Sequence, residues 1–214
     1  LVGVVVGQVV EALAAADAQP RAVLVADRRQ RQAEDDRVAD HGLEVEEVAV
    51  PSITPAAKAW FDVALLEIKE GLDPLAREHG SQTIQNIFDY YYQMSDTVDY
   101  KGYMKGVGDR SGIIRPWNVF LQDYPLVLTP FLMRSTYDYD HDETFEGSKD
   151  LFDSAIYSYG INYMGLPAGV VPTGLIEDRP SAVQIVGQRF REDLILDALE
   201  VIEAAVGVLS PRLW

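Results

Sequence analysis

The chain has 214 residues, a net charge of −16 and no cysteine. The acidity disfavours binding to nucleic-acid phosphates and to anionic membranes. The absence of cysteine excludes disulfides, thiolate metal ligands and a cysteine nucleophile. Nearly half of the residues are hydrophobic, which is typical of a folded domain, yet no apolar run approaches the roughly 20 residues of a membrane helix. These features predict a soluble, cytoplasmic protein that binds neither nucleic acid nor membrane.

The first fifty residues alternate between strand and helix patterns. Apolar, β-branched residues at 2–7 and 22–26 predict two buried strands. Two helices are predicted after them, at 8–17 and 28–40. Residues 44–50 alternate between acidic and apolar side chains, which is typical of a strand at the edge of a sheet. The opening therefore predicts a β-α-β-α-β order.

Three helical patterns follow. Residues 56–72 place their bulky side chains on one stripe, and the Asp-Pro pair at 73–74 is expected to end that helix. Residues 82–106 carry apolar and tyrosine side chains at helical spacing. This tyrosine stripe fits a substrate cradle or core packing, and the large area that aromatic rings bury favours core packing. A third helix is predicted at 115–122, with Pro116 in its first turn.

The last ninety residues combine short strands with helices and one long connection. The connection, at 131–149, is polar, and loops of this length often line binding sites. The helix that ends the pattern has one strongly apolar face, made of Leu194, Ile195, Ala198, Leu199, Ile202 and Ala205. The predicted elements are strands at 126–129, 168–172 and 182–186, a turn at 175–180, and helices at 150–162 and 191–206.

Three segments of this region carry a recognisable sequence. Residues 162–174 read Asn-Tyr-Met-Gly-Leu-Pro-Ala-Gly-Val-Val-Pro-Thr-Gly, and residues 180–187 read Pro-Ser-Ala-Val-Gln-Ile-Val-Gly. Upstream, residues 123–130 read Asp-Tyr-Pro-Leu-Val-Leu-Thr-Pro. Together they resemble the carboxy-terminal part of amidase-signature enzymes, over roughly residues 39–205.

The resemblance implies an α/β fold with a mixed open sheet covered by helices, as part of the three-layer α/β/α fold of that family. It implies a hydrolase that cleaves carboxamide C–N bonds, with a small-molecule amide as partner of the full-length enzyme and no cofactor. Residues 38–214 would form the carboxy-terminal part of this domain, after an opening β-α segment at 1–37. Val170 and Ala182 stand where the family often has serine and glycine, so no polar contact is transferred to Val170.

The catalytic residues of the family have no counterpart in the sequence. In the family a serine nucleophile, a second serine and a lysine base cleave the amide, and the nucleophile lies in a serine- and glycine-rich segment. Glycine and serine are neighbours at 80–81, 111–112 and 147–148, but none of these pairs belongs to a glycine-rich run. No catalytic residue is therefore assigned, as expected of a carboxy-terminal portion. The alternative is a non-catalytic remnant that acts as a binding or partner module.

The ends of two predicted strands supply a candidate substrate pocket. If the strands at 126–129 and 168–172 run in the same direction in one sheet, their carboxyl ends share an edge, where open α/β sheets bind small molecules. The connection after Phe131 would then lie over that edge. Phe131 and Met133 fit a core position equally well. The candidate pocket residues are Thr129, Pro130, Phe131, Met133, Thr173 and Gly174.

Two further patterns do not predict a metal or cofactor site. An acidic cluster occupies residues 138–143, but it has Glu143 where a calcium loop needs glycine and Lys149 where it needs glutamate. Gly3 and Gly7 form G-x-x-x-G instead of the dinucleotide fingerprint, so a dinucleotide-binding domain rests only on the opening β-α-β pattern. The sequence leaves open which amide is bound, whether the chain forms a homodimer, and whether it folds alone.

Overall fold

A computed structural model of the chain describes residues 22–27, 43–95, 99–134, 136–176 and 179–208. The described residues fall into two units. The sheet unit holds those up to Pro51, Pro116–Thr136 and those from Gly165 onward, and the helical unit holds Ser52–Arg115 and Tyr137–Met164. The elements predicted at 2–7, 8–17 and 28–40, and the predicted domain boundary after residue 37, lie outside the described residues.

The sheet unit contains five described strands in the order β2-β1-β3-β5-β4. The strand predicted at 44–50 is β2, and it lies at one end of this order as predicted. The described residues combine helices with one sheet, and the α/β fold class is confirmed. The strands are β1 (Ala22–Asp27), β2 (Leu43–Val48), β3 (Leu126–Pro130), β4 (Ala168–Ile176) and β5 (Arg179–Gly187).

Every neighbouring pair among the described strands is antiparallel. The sequence predicts a mixed sheet, and for this part of the sheet that prediction is wrong. The reason is clearest for β4 and β5, which only residues 177 and 178 separate. A parallel pair needs a crossover of a dozen or more residues, and this connection allows only a hairpin. The predicted turn at 175–180 is correspondingly too long, because Leu175 pairs with Pro180 inside the ladder.

The core of the sheet unit lies between one face of the sheet and the last helix, α7 (Glu192–Val206). The apolar face predicted for this helix is confirmed, except that Ala205 is exposed and Val206 packs against the core instead. Val127 and Val186 point to the opposite face and are also fully buried, so both faces of β3 and β5 are covered. The core residues are Leu126, Leu128, Val171, Val183, Ile185, Leu194, Ile195, Ala198 and Ile202.

The helical unit is built from six helices and two short turns of helix. Part of α4 belongs to it, since the division between the units falls at Pro116 within that helix. The helices are α1 (Thr54–Glu67), α2 (Asp73–His79), α3 (Gln82–Met94), α4 (Tyr100–Asp123), α5 (Phe145–Ser154) and α6 (Ile156–Met164), with a π-helical turn at Ile68–Leu72 and a 3-10 turn at His141–Glu143.

Four helix predictions differ from the structure. The helix predicted at 150–162 is divided at Ala155 into α5, which already begins at Phe145, and α6. The Asp-Pro pair at 73–74 begins α2, because proline in a first turn needs no N–H partner. The helix predicted at 82–106 ends at Met94, where Ser95 takes an extended conformation. Pro116 lies inside α4 and not in a first turn. Local sequence shows that proline is present but not where in a helix it falls.

The tyrosine stripe of α3 packs into the helical unit. Ile87 and Phe88 are buried, and the ring of Tyr91 lies edge-on against that of Phe152 with centroids 4.7 Å apart. Burial raises the pKa of the Tyr91 hydroxyl, and the nearby Asp142 carboxylate adds to the effect. This geometry supports the core-packing interpretation of the stripe.

Close approach between α6 and the start of α1 requires a glycine. A Cβ added at Gly160 would lie 2.9 Å from Ile53 Cδ1, which is closer than carbon atoms normally pack. Ile53 and Tyr157 are almost completely buried at this contact region of the helical unit. Burial raises the pKa of Tyr157 to about 12, so its hydroxyl stays neutral at physiological pH.

Replacing Ile185 by alanine should lower the free energy of unfolding by about 2–5 kcal/mol. Ile185 is a fully buried residue of β5 in the core that also contains the apolar residues of α7. Its truncation leaves a cavity that the surrounding strands close only in part. Leu196→Ala is the matched control, because Leu196 lies on the exposed side of α7 and its loss should cost no more than about 0.5 kcal/mol. Urea unfolding of both variants measures the difference, and equal losses would contradict the described packing.

Candidate active-site wall

The carboxyl ends of β3 and β4 lie at the same edge of the sheet. Each strand pairs antiparallel with β5, so β3 and β4 run in the same direction with β5 between them. The condition on which the candidate pocket depends is therefore met. Thr129 and Val170 both lie opposite Gln184, so at this level β3 and β4 are about two strand spacings, roughly 10 Å, apart. Strand β4 then continues past the level of Pro130 to Ile176, so Thr173 and Gly174 lie within β4 and not, as predicted, beyond its end.

Thr129 lies inside the sheet unit and not on a pocket surface. It is 2% exposed, and its Oγ1 accepts a hydrogen bond of 3.0 Å from Nε2 of the equally buried Gln184. The pleat places both side chains on the face opposite α7. This hydrogen bond helps to fix how β3 and β5 align, since a one-residue slip of either strand would place the two polar groups on opposite faces of the sheet.

Thr173 forms a β-bulge just beyond the level of Pro130. The register of β4 and β5 shifts between Pro172 and Gly174, so Thr173 is the extra residue. Its Oγ1 is buried and has no hydrogen-bond partner among the described residues. Gly174 has a φ of +157°, which side-chain-bearing residues rarely adopt. An unpaired buried hydroxyl beside a glycine is a site where a polar ligand group could bond.

Phe131 and Met133 leave the sheet directly after β3. They are 37% and 39% exposed, so neither fills the core. The connection then returns to the hairpin, where Nη1 of Arg179 donates a hydrogen bond of 2.8 Å to the carbonyl oxygen of Thr136. Two exposed apolar side chains thus lie on a segment that is held at both ends against the shared edge. Their place in a substrate pocket stays a prediction.

Several known proteins are similar to this chain over most of its length. No protein-family model matches the sequence. An indoleacetamide hydrolase from Bradyrhizobium diazoefficiens is 35% identical over 185 residues, which are 83% of this chain and 35% of that protein. The solved structure of a 6-aminohexanoate cyclic dimer hydrolase superposes with a TM-score of 0.58 at 19% identity, covering 76% of this chain and 38% of its own.

A bacterial aryl acylamidase, described as belonging to the amidase-signature enzymes, superposes with a TM-score of 0.55 at 18% identity, covering 72% of this chain and 34% of its own. The chain belongs to the amidase-signature family. The resemblance drawn from the sequence motifs is therefore confirmed. This amidase-signature chain spans little more than a third of the length of these relatives, which is consistent with a carboxy-terminal portion.

The family motif turns the chain into β4 and fixes it at the sheet edge opposite the candidate pocket residues. Gly165 has a φ of +65°, and the carbonyl oxygen of Pro167 accepts a hydrogen bond of 3.0 Å from the N–H of Gly187. Nε2 of Gln188 donates to the carbonyl oxygen of Leu121 at 2.7 Å. These contacts give the motif a structural role in this chain.

The start of α7 carries a local ion pair. Nε of Arg191 donates to Oδ1 of Asp193 at 2.9 Å, and this hydrogen bond lowers the pKa of the Asp193 carboxyl below its ordinary value. Asp193 also lies in the first helical turn, where a negative charge is favoured by the helix dipole. The pair stabilises the helix start.

The glycine and serine at 147–148 have structural roles in this amidase-signature chain. A Cβ added at Gly147 would lie 1.7 Å from the carbonyl oxygen of His141, so only glycine fits. Oγ of Ser148 donates to the carbonyl oxygen of Asp142 at 2.8 Å, and Oγ of Ser81 accepts from the N–H of Ile84 at the start of α3. These hydroxyls are engaged with the main chain.

The acidic cluster at 138–143 lies in a loop that a ring stack and a histidine–carboxylate contact hold in place. Nε2 of His141 lies 3.0 Å from Oδ2 of Asp150, and the ring of Tyr137 stacks on the imidazole at 4.6 Å. Within the described ranges, no group of three or more His, Asp or Glu side chains could hold a metal ion. None of the helices that the structure describes is long and apolar enough to cross a membrane.

Replacing Thr129 or Thr173 by valine should affect the free energy of unfolding differently. Thr129→Val removes the acceptor of a buried amide and should lower the free energy of unfolding by about 1–3 kcal/mol. Thr173→Val has the same shape change but removes a hydroxyl without a described partner, so stability should stay equal or rise. Chemical denaturation of the two variants provides the comparison. A larger loss at Thr173 would show that its hydroxyl is already bonded.

Proposed function

We propose that this chain is the carboxy-terminal portion of a hydrolase that cleaves carboxamide C–N bonds. It contributes sheet core and one wall of the substrate pocket and is not catalytic alone. The observation that carries the proposal is 35% identity, across 83% of the chain, to a relative named indoleacetamide hydrolase. That name gives a carboxamide as the compound hydrolysed, and the same class of bond is the proposed substrate here.

The proposed wall consists of the β4 bulge and the segment after β3. The hydroxyl of Thr173 can donate to or accept from a carboxamide, which carries both kinds of group. Because this hydroxyl is removed from water, a hydrogen bond to it gains strength. Phe131 and Met133 offer exposed apolar surface to the rest of the substrate. The remaining residues of the proposed wall are Pro130, at the end of β3, and Gly174, next to the bulge in β4.

The proposal assigns nucleophile, base and oxyanion donors to residues outside this sequence. Ser148 and Ser154 already donate to main-chain carbonyl oxygens, at 2.8 and 3.0 Å. Lys58 and Lys149 are largely exposed and lie beside aspartates, so neither has the buried, charge-free surroundings of a lysine base. A serine- and glycine-rich segment with two serines, preceded by a lysine on an apolar strand, would supply these groups.

The 214-residue chain by itself should release no ammonia from aliphatic or aromatic carboxamides above the uncatalysed background. The reason is the lack of an activated nucleophile and of oxyanion donors. A coupled ammonia assay over a panel of amides is the measurement. Turnover that disappears on replacing any one serine of this chain would overturn the assignment.

A longer product of the same gene provides the positive control for this assay. If such a product carries the serine- and glycine-rich segment, it should hydrolyse carboxamides, and replacing either of its two serines by alanine should abolish turnover. If the genomic sequence before Leu1 encodes no such segment, the hydrolase proposal fails and the chain is a non-catalytic binding or partner module.

In an active longer form, Phe131→Ala should change the preference between small and bulky amides by roughly 10-fold in relative kcat/KM, because one apolar contact discriminates by about 1–3 kcal/mol. Unfolding stability should fall by well under the 3–5 kcal/mol of a buried phenylalanine, since Phe131 is more than a third exposed.

Phe190→Ala is the matched control for that experiment. Phe190 is 88% exposed and follows the carboxyl end of β5, at the opposite edge of the sheet. Its removal should leave substrate preference unchanged. Equal effects of the two variants on selectivity, or an effect of Phe131→Ala on stability alone, would remove Phe131 from the pocket.

A further inference from the structure

The helical unit contains a cavity of about 480 Å³. Its size falls within the range of small-molecule sites, roughly 300–1,000 Å³. The walls come from α1, from the end of α3, and from α5 and α6, so every wall belongs to the same unit. Most of the lining is apolar, chiefly Phe61, Met94, Phe145, Phe152, Ile156 and Tyr159.

Three aromatic rings of this lining hold one another in place. Phe61 and Phe152 meet edge to face with centroids 4.6 Å apart, and Tyr159 lies 5.8 Å from each of them. Behind them, Trp60 packs on Tyr159 at 5.0 Å. Rings fixed in this way lose little conformational entropy when another ring is added, and edge-to-face contacts favour an aromatic guest over an aliphatic one.

The polar group of the third ring is already satisfied. The hydroxyl of Tyr159 donates a hydrogen bond of 3.0 Å to the carbonyl oxygen of Phe152. Burial, with a contribution from the Asp153 carboxylate, raises the pKa of this hydroxyl to about 12, so the ring is neutral at physiological pH. The aromatic part of the cavity therefore presents no charge and no unpaired hydroxyl.

Two lysine–aspartate pairs lie at the rim, on α1 and α5. Nζ of Lys58 lies 3.8 Å from Oδ1 of Asp62, and Lys149 bonds to Asp153. Each lysine is thus balanced by a carboxylate one helical turn away, and the four charged groups that line the cavity sum to zero. A charged ligand would have to disturb one of these pairs, whereas an uncharged polar group can bond to either sign.

We infer that this cavity binds an uncharged aromatic small molecule, with its ring against Phe61, Phe152 and Tyr159 and its polar group at the lysine–aspartate rim. All residues that line the cavity belong to the helical unit, whereas the residues proposed as a substrate wall belong to the sheet unit. The inference rests on the lining of the cavity and holds whether or not the chain is part of a hydrolase.

Calorimetric titration of the 214-residue chain with four probes tests the ligand class. The probes are 2-naphthylacetamide, 2-naphthylacetate, 2-(2-naphthyl)ethylamine and acetamide. The naphthylamide should bind at least about tenfold more tightly than the acid or the amine, and acetamide should not bind measurably. Equal or tighter binding of a charged probe, or no binding of the naphthylamide at concentrations on the order of 1 mM, would overturn the inference.

Substitutions place the probe in the cavity. Phe61→Ala removes one ring, and Thr54→Tyr fills the mouth from an exposed position at the start of α1. Each should weaken naphthylamide binding at least about tenfold, and Thr54→Tyr should leave the unfolding curve unchanged, which excludes loss of folding as the cause. Gln82→Tyr, at the exposed start of α3 and outside the cavity lining, is the matched control and should bind normally.

Phe131→Ala separates this site from the proposed substrate wall. Normal naphthylamide binding by Phe131→Ala, together with weak binding by Thr54→Tyr, places the ligand in the helical unit. The reverse pattern places it at the ends of the strands and refutes the inference, while leaving the hydrolase proposal intact.

Discussion

The antiparallel pairing of β5 with both β3 and β4 determines the geometry of the sheet unit. Since β5 lies between them and opposes both, β3 and β4 must run in the same direction and end at one edge. The buried hydrogen bond from Gln184 to Thr129 fixes the alignment on one face. On the other face, α7 covers the apolar residues of the same strands. The bulge at Thr173 and the exposed Phe131 owe their common location to this arrangement.

The sequence predicts those elements whose signals are local. Strands β3, β4 and β5 and helix α7 were expected within a few residues of their observed bounds, because prolines and glycines bracket short apolar runs. The helix boundaries predicted at the Asp-Pro pair at 73–74 and at Pro116 are wrong, because proline can lie in the first turn of a helix or inside it. Ser95 ends α3 without any glycine or proline to indicate it.

Burial at the candidate sites depends on residues that are distant in sequence. Thr129 was expected at a pocket surface, but Gln184, which follows 55 residues later, holds it inside the sheet. The sequence does not predict the aromatic cavity, because its lining comes from three separate segments at 54–62, 93–95 and 145–159. The sequence of each segment alone does not show that they line one cavity. Only the packing of these helices reveals that their apolar faces leave a space between them.

The position of the helical unit in the chain has a consequence for folding kinetics. Residues 137–164, which belong to the helical unit, separate β3 from its partner β5. The β3–β5 ladder therefore cannot form until the ends of this intervening segment approach each other, whereas the main-chain hydrogen bonds within α5 and within α6 are local in sequence. Early helix formation shortens the effective loop and lowers the entropy lost when it closes. Formation of the β3–β5 ladder is thus a nonlocal step that depends on the helices between these strands, in contrast to the local β4–β5 hairpin.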